Sequence, residues 1–169
     1  PGIVGVNIGA NKDSQDRIAD YEAGIRAFEG LASYFTVNIS SPNTPGLRAL
    51  QNKAELQILV SRVLAARRAE GARKTPVLLK IAPDLTPDDL ADIAEVALNE
   101  GLDGLIISNT TIARDGLVSG IRAREQGGLS GAPLFAMSTS VLADMYRLTR
   151  GRLPLIGVGG IGSGDDAYM

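Results

Sequence analysis

The sequence predicts an α/β fold built on parallel strands, and three observations predict it. Short apolar runs alternate with helical patterns in the order βαβαβαβαβα, with no linker or composition break. The strand runs are continuously apolar, as strands covered on both faces are. Five strand–helix units in 169 residues have the pitch of a (β/α)8 TIM barrel, which takes about 250 residues when whole. An open doubly wound sheet fits the same alternation. Both ends look cut, because the first residues are already strand and the last helix has barely begun. Residues 1–169 are therefore expected to be one domain, a partial barrel truncated at both ends.

Ile3 to Ile8 reads as the first buried strand. Lys12 to Gly30 turns helical, with Ile18, Tyr21, Ile25 and Phe28 on one face, Asp13 or Ser14 as cap and Gly30 as stop. Tyr34 to Ile39 is a second strand of β-favouring residues. Lys53 to Glu70 is a second helix, with Leu56, Leu59, Val60, Val63 and Leu64 on its stripe and Gly71 closing it. Val77 to Ile81 is a third strand. Thr86-Pro87-Asp88-Asp89 starts the next helix with a capping threonine, a proline at the first position and acids suited to the helix dipole; Gly101 ends it. Gly104 to Asn109 is a fourth strand, followed by a long polar, glycine-rich connection, Thr110 to Pro133, of a kind that is usually functional. Ser138 to Arg150 is helical with Val141, Leu142, Met145 and Leu148 inward. Leu155 to Val158 is a fifth strand, and a last helix opens near Asp165.

Composition narrows the chemistry. Apolar content of 44% and charged content of 21% describe a globular chain, and a net charge of −2 gives no electrostatic case for nucleic acid or an anionic membrane surface. No run of about 18 apolar residues predicts a span. There is no cysteine and no histidine. Thiolate catalysis, zinc–thiolate sites and a Ser-His-Asp triad are excluded within these residues. Chemistry here rests on Ser, Thr, Asn, Lys, Arg, carboxylates, backbone or a cofactor; no metal site is expected.

The stretch Val37 to Leu47 draws the eye first. A strand breaks into Ser40-Ser41-Pro42-Asn43-Thr44-Pro45-Gly46, where two prolines fix φ and push their predecessors toward extended geometry. Taken alone this is a good surface turn; past a strand end it is also where α/β proteins build sites. Three strands end in an amide, Asn7, Asn38 and Asn109, whose donors and acceptors suit a flat heterocycle. Lys80 interrupts an apolar strand, and a buried ammonium needs a partner, such as negative charge developing on a cofactor or substrate. Gly157 to Gly164 reads as a phosphate cradle. Its formal dinucleotide fingerprint is weak, because that pattern belongs after a first strand, and a phosphate site late in a barrel suits it better.

These motifs together resemble a known family. Val37-Asn38-Ile39-Ser40-Ser41-Pro42-Asn43-Thr44, Lys80-Ile81-Ala82-Pro83-Asp84-Leu85, Ser108-Asn109-Thr110-Thr111, Gly127-Gly128-Leu129-Ser130-Gly131 and Gly157-Val158-Gly159-Gly160 are similar to the dihydroorotate dehydrogenases, across essentially the whole chain. The resemblance aligns the five strands with the third to seventh of eight in a barrel that binds flavin mononucleotide (FMN). It implies oxidation of dihydroorotate to orotate in pyrimidine (UMP) biosynthesis. Serine at position 41 and the lack of cysteine resemble class 2, which passes electrons to a membrane quinone. By resemblance, Ser41 is the catalytic base at C5 while hydride leaves C6 for flavin N5, with a water or Thr44 as relay. Asn7, Asn38, Lys80, Ser108, Gly131 and Gly160 resemble FMN contacts, with Lys80 favouring an anionic reduced flavin. Asn38, Asn43, Asn109 and Thr110 resemble orotate contacts. Arg48 receives no role.

The resemblance also implies a peripheral place on the inner (cytoplasmic) membrane of a bacterium, or on the mitochondrial inner membrane of a eukaryote. That association would run through a segment outside these residues. The piece alone is expected to be inactive and, with open edge strands, prone to aggregate. Two other readings stand beside this one. The first is a pyrimidine-reducing FMN barrel, whose known members resemble this chain but carry cysteine as base. The second is a noncatalytic phosphate- or nucleotide-binding α/β module.

Overall fold

Five parallel strands lie side by side in chain order, each joined to the next by a helix. The computed structural model describes residues 2–44, 46–69, 75–114, 117 and 125–168. The elements are β1 (Gly5–Ile8), α1 (Arg17–Phe28), β2 (Tyr34–Asn38), α2 (Lys53–Ala69), β3 (Val77–Ile81), α3 (Pro87–Glu100), β4 (Gly104–Ile107), α4 (Phe135–Thr149), β5 (Leu155–Gly157) and α5 (Gly164–Tyr168). Short 3-10 turns at Leu47–Gln51 and Ala132–Leu134 precede α2 and α4.

The sheet order β1-β2-β3-β4-β5 decides between the two architectures. A doubly wound sheet reverses its order at a switch point; this one never does. Side chains confirm it. Ile8, Phe35, Val37, Leu79, Ile81, Leu105 and Ile107 share one core with the buried faces of α1 to α4. The alternate residues, Thr36, Asn38, Leu78, Lys80 and Ile106, stand outside that cluster on the other face, as a period of two requires. Helices on one face only, over a sheet in sequential order, make an arc of a (β/α)8 barrel with an inner face turned from the helices.

Local signals account for most element ends. Thr86 caps α3 through a reciprocal box: its hydroxyl accepts from the Asp89 N–H (3.2 Å), and the Asp89 carboxylate accepts from the Thr86 N–H (2.9 Å). Gly101 ends α3 at φ 76°, which glycine adopts without penalty. Two expectations shift. Asp16, not Asp13 or Ser14, caps α1, accepting from the N–H groups of Ile18 and Ala19. The fourth long helix starts at Phe135, three residues early, because the 3-10 turn before it runs straight into the helix. Phe28 and Leu148, expected inward, are 44% and 39% exposed. Phe28 is the last residue of α1, where the chain turns away at Gly30; Leu148 lines a groove between α3 and α4. Gly71 and Pro45 lie outside the described residues.

Buried polar groups tie the layers together. The Tyr21 hydroxyl, fully buried on α1, donates to the carbonyl of Asn38 at 2.8 Å. Arg67 of α2 donates to the Asp103 carboxylate and to the Thr75 carbonyl, and Asp103 also accepts from the Val77 N–H at the start of β3. At the two edges of the sheet, Ile3 and Val4, expected within a buried first strand, precede β1 and are exposed, as are Ile156 in β5 and Ile161 after it.

Two stability predictions come from these contacts, both read by denaturant unfolding of a protein containing this chain. Thr86→Ala removes the capping box and lowers stability by about 1 kcal/mol at neutral pH. The hydrogen bonds from Thr86 hold the Asp89 carboxyl below the usual carboxylate range. The contribution of that carboxylate is present above a pH of about 4 and fades as pH falls through the lowered value, so the gap between variant and parent narrows there. Burial pushes the Tyr21 hydroxyl up to about 12. The unfolded chain therefore loses this proton first, and the stabilising contribution is full below a pH of about 10 and lost as pH rises toward 12. Tyr21→Phe loses the bond to Asn38, at a cost of about 1 kcal/mol near neutrality, and sheds that part of the alkaline loss.

Candidate active site at the strand ends

Parallel strands place all their carboxyl ends on one rim, and the sequence puts polar groups there. Alternation sends Val37 and Ile39 into the helix-side core and leaves Asn38 on the inner face. The same alternation puts Lys80 between Leu79 and Ile81, and register sets Asn38 directly beside Lys80, with Ile106 next. Lys80 is half-buried and makes no hydrogen bond or ion pair with any described residue. An ammonium held so on an otherwise apolar strand fits an anionic or electron-rich group.

Just past the rim the side chains bond to one another. Asn109 Nδ2 donates to Asn38 Oδ1 (3.3 Å) and to Ser40 Oγ (3.0 Å). Asn38 Oδ1 also accepts from the Ser40 N–H (3.2 Å) and hydroxyl (3.0 Å). Asn109 Oδ1 accepts from the Thr110 N–H at 2.8 Å. These bonds fix both amide planes and leave the Asn38 amino group pointing to none of the described residues. Ser108 is buried, its hydroxyl donating to the Asn109 carbonyl at 3.0 Å.

The loop after β2 carries Ser41, half-buried, whose Oγ accepts from the Asn43 N–H at 3.3 Å. The long connection after β4 folds back over this loop. Thr111 and Leu129 exchange backbone hydrogen bonds (3.1 and 2.7 Å), closing its two arms together, and Arg114 donates to the carbonyls of Thr111, Glu125 and Gly127 across them. The returning arm needs glycine where it crosses. A Cβ on Gly128 would collide with the Thr110 side chain and sit 3.2 Å from Pro42, and one on Gly127 would stand 3.5 Å from Asn43 Oδ1. Ser41, Asn43, Thr110 and the amide pair thus share one neighbourhood.

Further round the rim, Gly160 and Gly131 meet at the start of α4. A Cβ on Gly160 would lie 2.6 Å from the Phe135 nitrogen and 2.7 Å from the Gly131 carbonyl oxygen. The expected cradle Gly157 to Gly164 turns partly on itself, since the Gly162 N–H donates to the Asp166 carboxylate at 2.9 Å. Asn7 stands apart: its register partner is Thr36, two residues short of Asn38, and it is exposed. A cavity of about 670 Å³ lies between α4, β5 and α5, lined by Leu142, Tyr146, Ile161 and others; it is on the apolar flank and none of the amides or hydroxyls of the rim reaches it.

Sequence reading missed Arg48. Its Nε donates to the Ser40 carbonyl (3.2 Å), one terminal nitrogen to Asp84 (2.8 Å) and the other to the Thr110 carbonyl (3.0 Å). Asp84 in turn accepts from the Thr111 hydroxyl and the Ile112 N–H. The only signal was position, one charge following the loop and one following Pro83; that the two meet across 36 residues is a tertiary fact.

The donor set suits a flat heterocycle and an anionic group: paired amides, a half-buried ammonium with no partner among the described residues, and glycine backbones in close approach. The family model described as dihydroorotate dehydrogenase matches residues 2–169. A protein named dihydroorotate dehydrogenase (quinone) from Parvibaculum lavamentivorans is 82% identical over 168 residues, covering 99% of this chain and 47% of its own length. One of the same name from Rhizobium johnstonii is 62% identical, covering 98% and 47%. A crystal structure of DHODH from Eimeria tenella in complex with ferulenol superposes with a TM-score of 0.92 at 42% identity, over 98% of this chain and 48% of that one. The chain thus spans about half the length of the relatives it matches. With a sheet order, a rim chemistry and a family model that agree along its length, the chain belongs to the dihydroorotate dehydrogenase family.

Proposed function

We propose that this chain supplies the substrate face and part of the flavin site of a quinone-dependent dihydroorotate dehydrogenase acting in pyrimidine biosynthesis. The observation that carries the reading is that the amide pair Asn38–Asn109 is bonded to Ser40, the residue before Ser41, while the Gly127–Gly128 arm closes on Pro42 and Asn43, the residues after it. A bound FMN supplies the acceptor for the hydride that leaves C6 of dihydroorotate. Asn7, Asn38, Lys80, Ser108, Gly131 and Gly160 hold it, Lys80 offering positive charge from the inner face.

Ser41 Oγ takes the proton from C5 as its own hydroxyl proton passes to Thr44 or a water. The Asn43 N–H, already directed at that oxygen, stabilises the negative charge that gathers there. Asn38, Asn43, Asn109 and Thr110 bind the substrate; the mutual bonds of Asn38 and Asn109 hold their amides pre-set, so little ordering is left to do on binding. Electrons leave to a membrane quinone, and the enzyme sits peripherally on that membrane through a segment other than this one. Among the described residues no helix is long and apolar enough to cross a membrane.

The test uses the full-length bacterial relative with this chain in place of the segment it matches. It is expected to be yellow and to bleach anaerobically with dihydroorotate. Ser41→Ala keeps the flavin bands and slows bleaching by about 10²–10⁴-fold, the range for a lost general base; bleaching at the parent rate removes Ser41 from the chemistry. The 169-residue chain alone is expected to turn over no dihydroorotate, since about half of the length of its relatives lies outside the segment it matches; measurable turnover by the purified piece would overturn that expectation.

A further inference from the structure

We infer that Arg48 is the positioning residue of the catalytic loop: it sets where Ser41 stands relative to the amide pair. This rests on the reading of Ser41 as base and adds a residue to it. The geometry is specific. The three guanidinium donors go to acceptors after three consecutive strands, the Ser40 carbonyl after β2, Asp84 after β3 and the Thr110 carbonyl after β4. The Ser40 carbonyl belongs to the same planar peptide unit as the Ser41 nitrogen, so holding that oxygen holds the plane from which Ser41 extends. Pro42 then restricts Ser41 to extended backbone from the other side. The Thr110 carbonyl belongs to the residue whose side chain abuts Gly128. One half-buried cation thus locks the base to the loops beside it.

Two features separate this from a general electrostatic role. The charge of Arg48 is matched by Asp84 at 2.8 Å, so it is not a source of field for the reaction. The fork is used in full, with three nitrogens on three loops, which a lysine cannot reproduce with a single point charge. Loss of the fork leaves the charge pair possible and the base free to drift, and a drift of about 1 Å costs about 10²-fold in rate.

The experiment is anaerobic stopped-flow reduction of bound flavin by dihydroorotate, with orotate titration, in the full-length relative carrying this chain. Arg48→Lys is expected to lower the limiting reduction rate by about 10–100-fold while orotate affinity moves by less than about threefold and flavin occupancy holds. Placed on a Ser41→Ala background, the same change is expected to lower the rate by less than about threefold, because its effect passes through Ser41. A limiting rate for Arg48→Lys near the parent's, a loss confined to orotate affinity, or an equal loss on both backgrounds would each overturn the inference. Asp84→Ala, which removes the acceptor after β3 from the fork, gives the second reading should Arg48→Lys accumulate poorly: a slowed limiting rate supports the lock and an unchanged one overturns it. A slow Ser41→Ala with a normal Arg48→Lys removes the lock alone. A normal Ser41→Ala removes the base assignment and the lock with it.

Discussion

Parallel strands in unbroken sequence order put every carboxyl end on the same rim, and all the chemistry of this chain depends on that constraint. Each crossover returns its helix to the same side, so the helices form one outer layer and the other face stays free of them. The inner face then receives every second side chain of each strand. Lys80 is there only because Leu79 and Ile81 are committed to the core. Shifting the register by one residue would bury Asn38 and the ammonium among leucines and turn Val37 and Leu79 to the site.

Past the rim, regular pairing stops and side chains take over as the means of holding position. Loops of this length gain no ladder of backbone bonds, and their carbonyls would otherwise face water or stand unpaired. Two arginines satisfy them. Arg48 serves the loops after β2, β3 and β4, and Arg114 the two arms of the long connection. A guanidinium suits this task because it offers several donors in one rigid plane without an acceptor of its own to be satisfied. The amide pair adds a second level, fixing its own orientation through Ser40 and Thr110. The polar groups of the site are consequently cross-bonded to one another while lying on loops.

Much of the fold was legible from local pattern. Thr86-Pro87-Asp88-Asp89 announces a helix start that the structure bears out, and Gly101 its end. Strand residues from Tyr34 and from Val77 fall where continuous apolar runs place them. Local reading failed where several residues compete for one job. Asp13, Ser14 and Asp16 can all cap, and only the path of the chain out of β1 selects Asp16. Phe28 and Leu148 obey helical periodicity, yet the stripe is buried only where another element lies over it.

The candidate site divides along the same line. The motif residues Ser41, Asn43, Asn109 and Thr110 announce themselves by type and spacing, and family resemblance gives each an expected partner. Asn7 is an amide on a strand like Asn38, and the register sets it beside Thr36, two residues short of the pair. The amino-acid sequence by itself determined the alternation of strands and helices, the helix caps and the residue types at each strand end, because these follow from periodicity and from a few neighbours along the chain. Only the tertiary structure decided that the sheet is an arc with one helical face, that Asn38 meets Asn109 across 71 residues, and that Arg48 reaches Asp84 across 36 and Thr110 across 62. Those contacts are set by register and by packing between elements, quantities that exist only once the strands have paired.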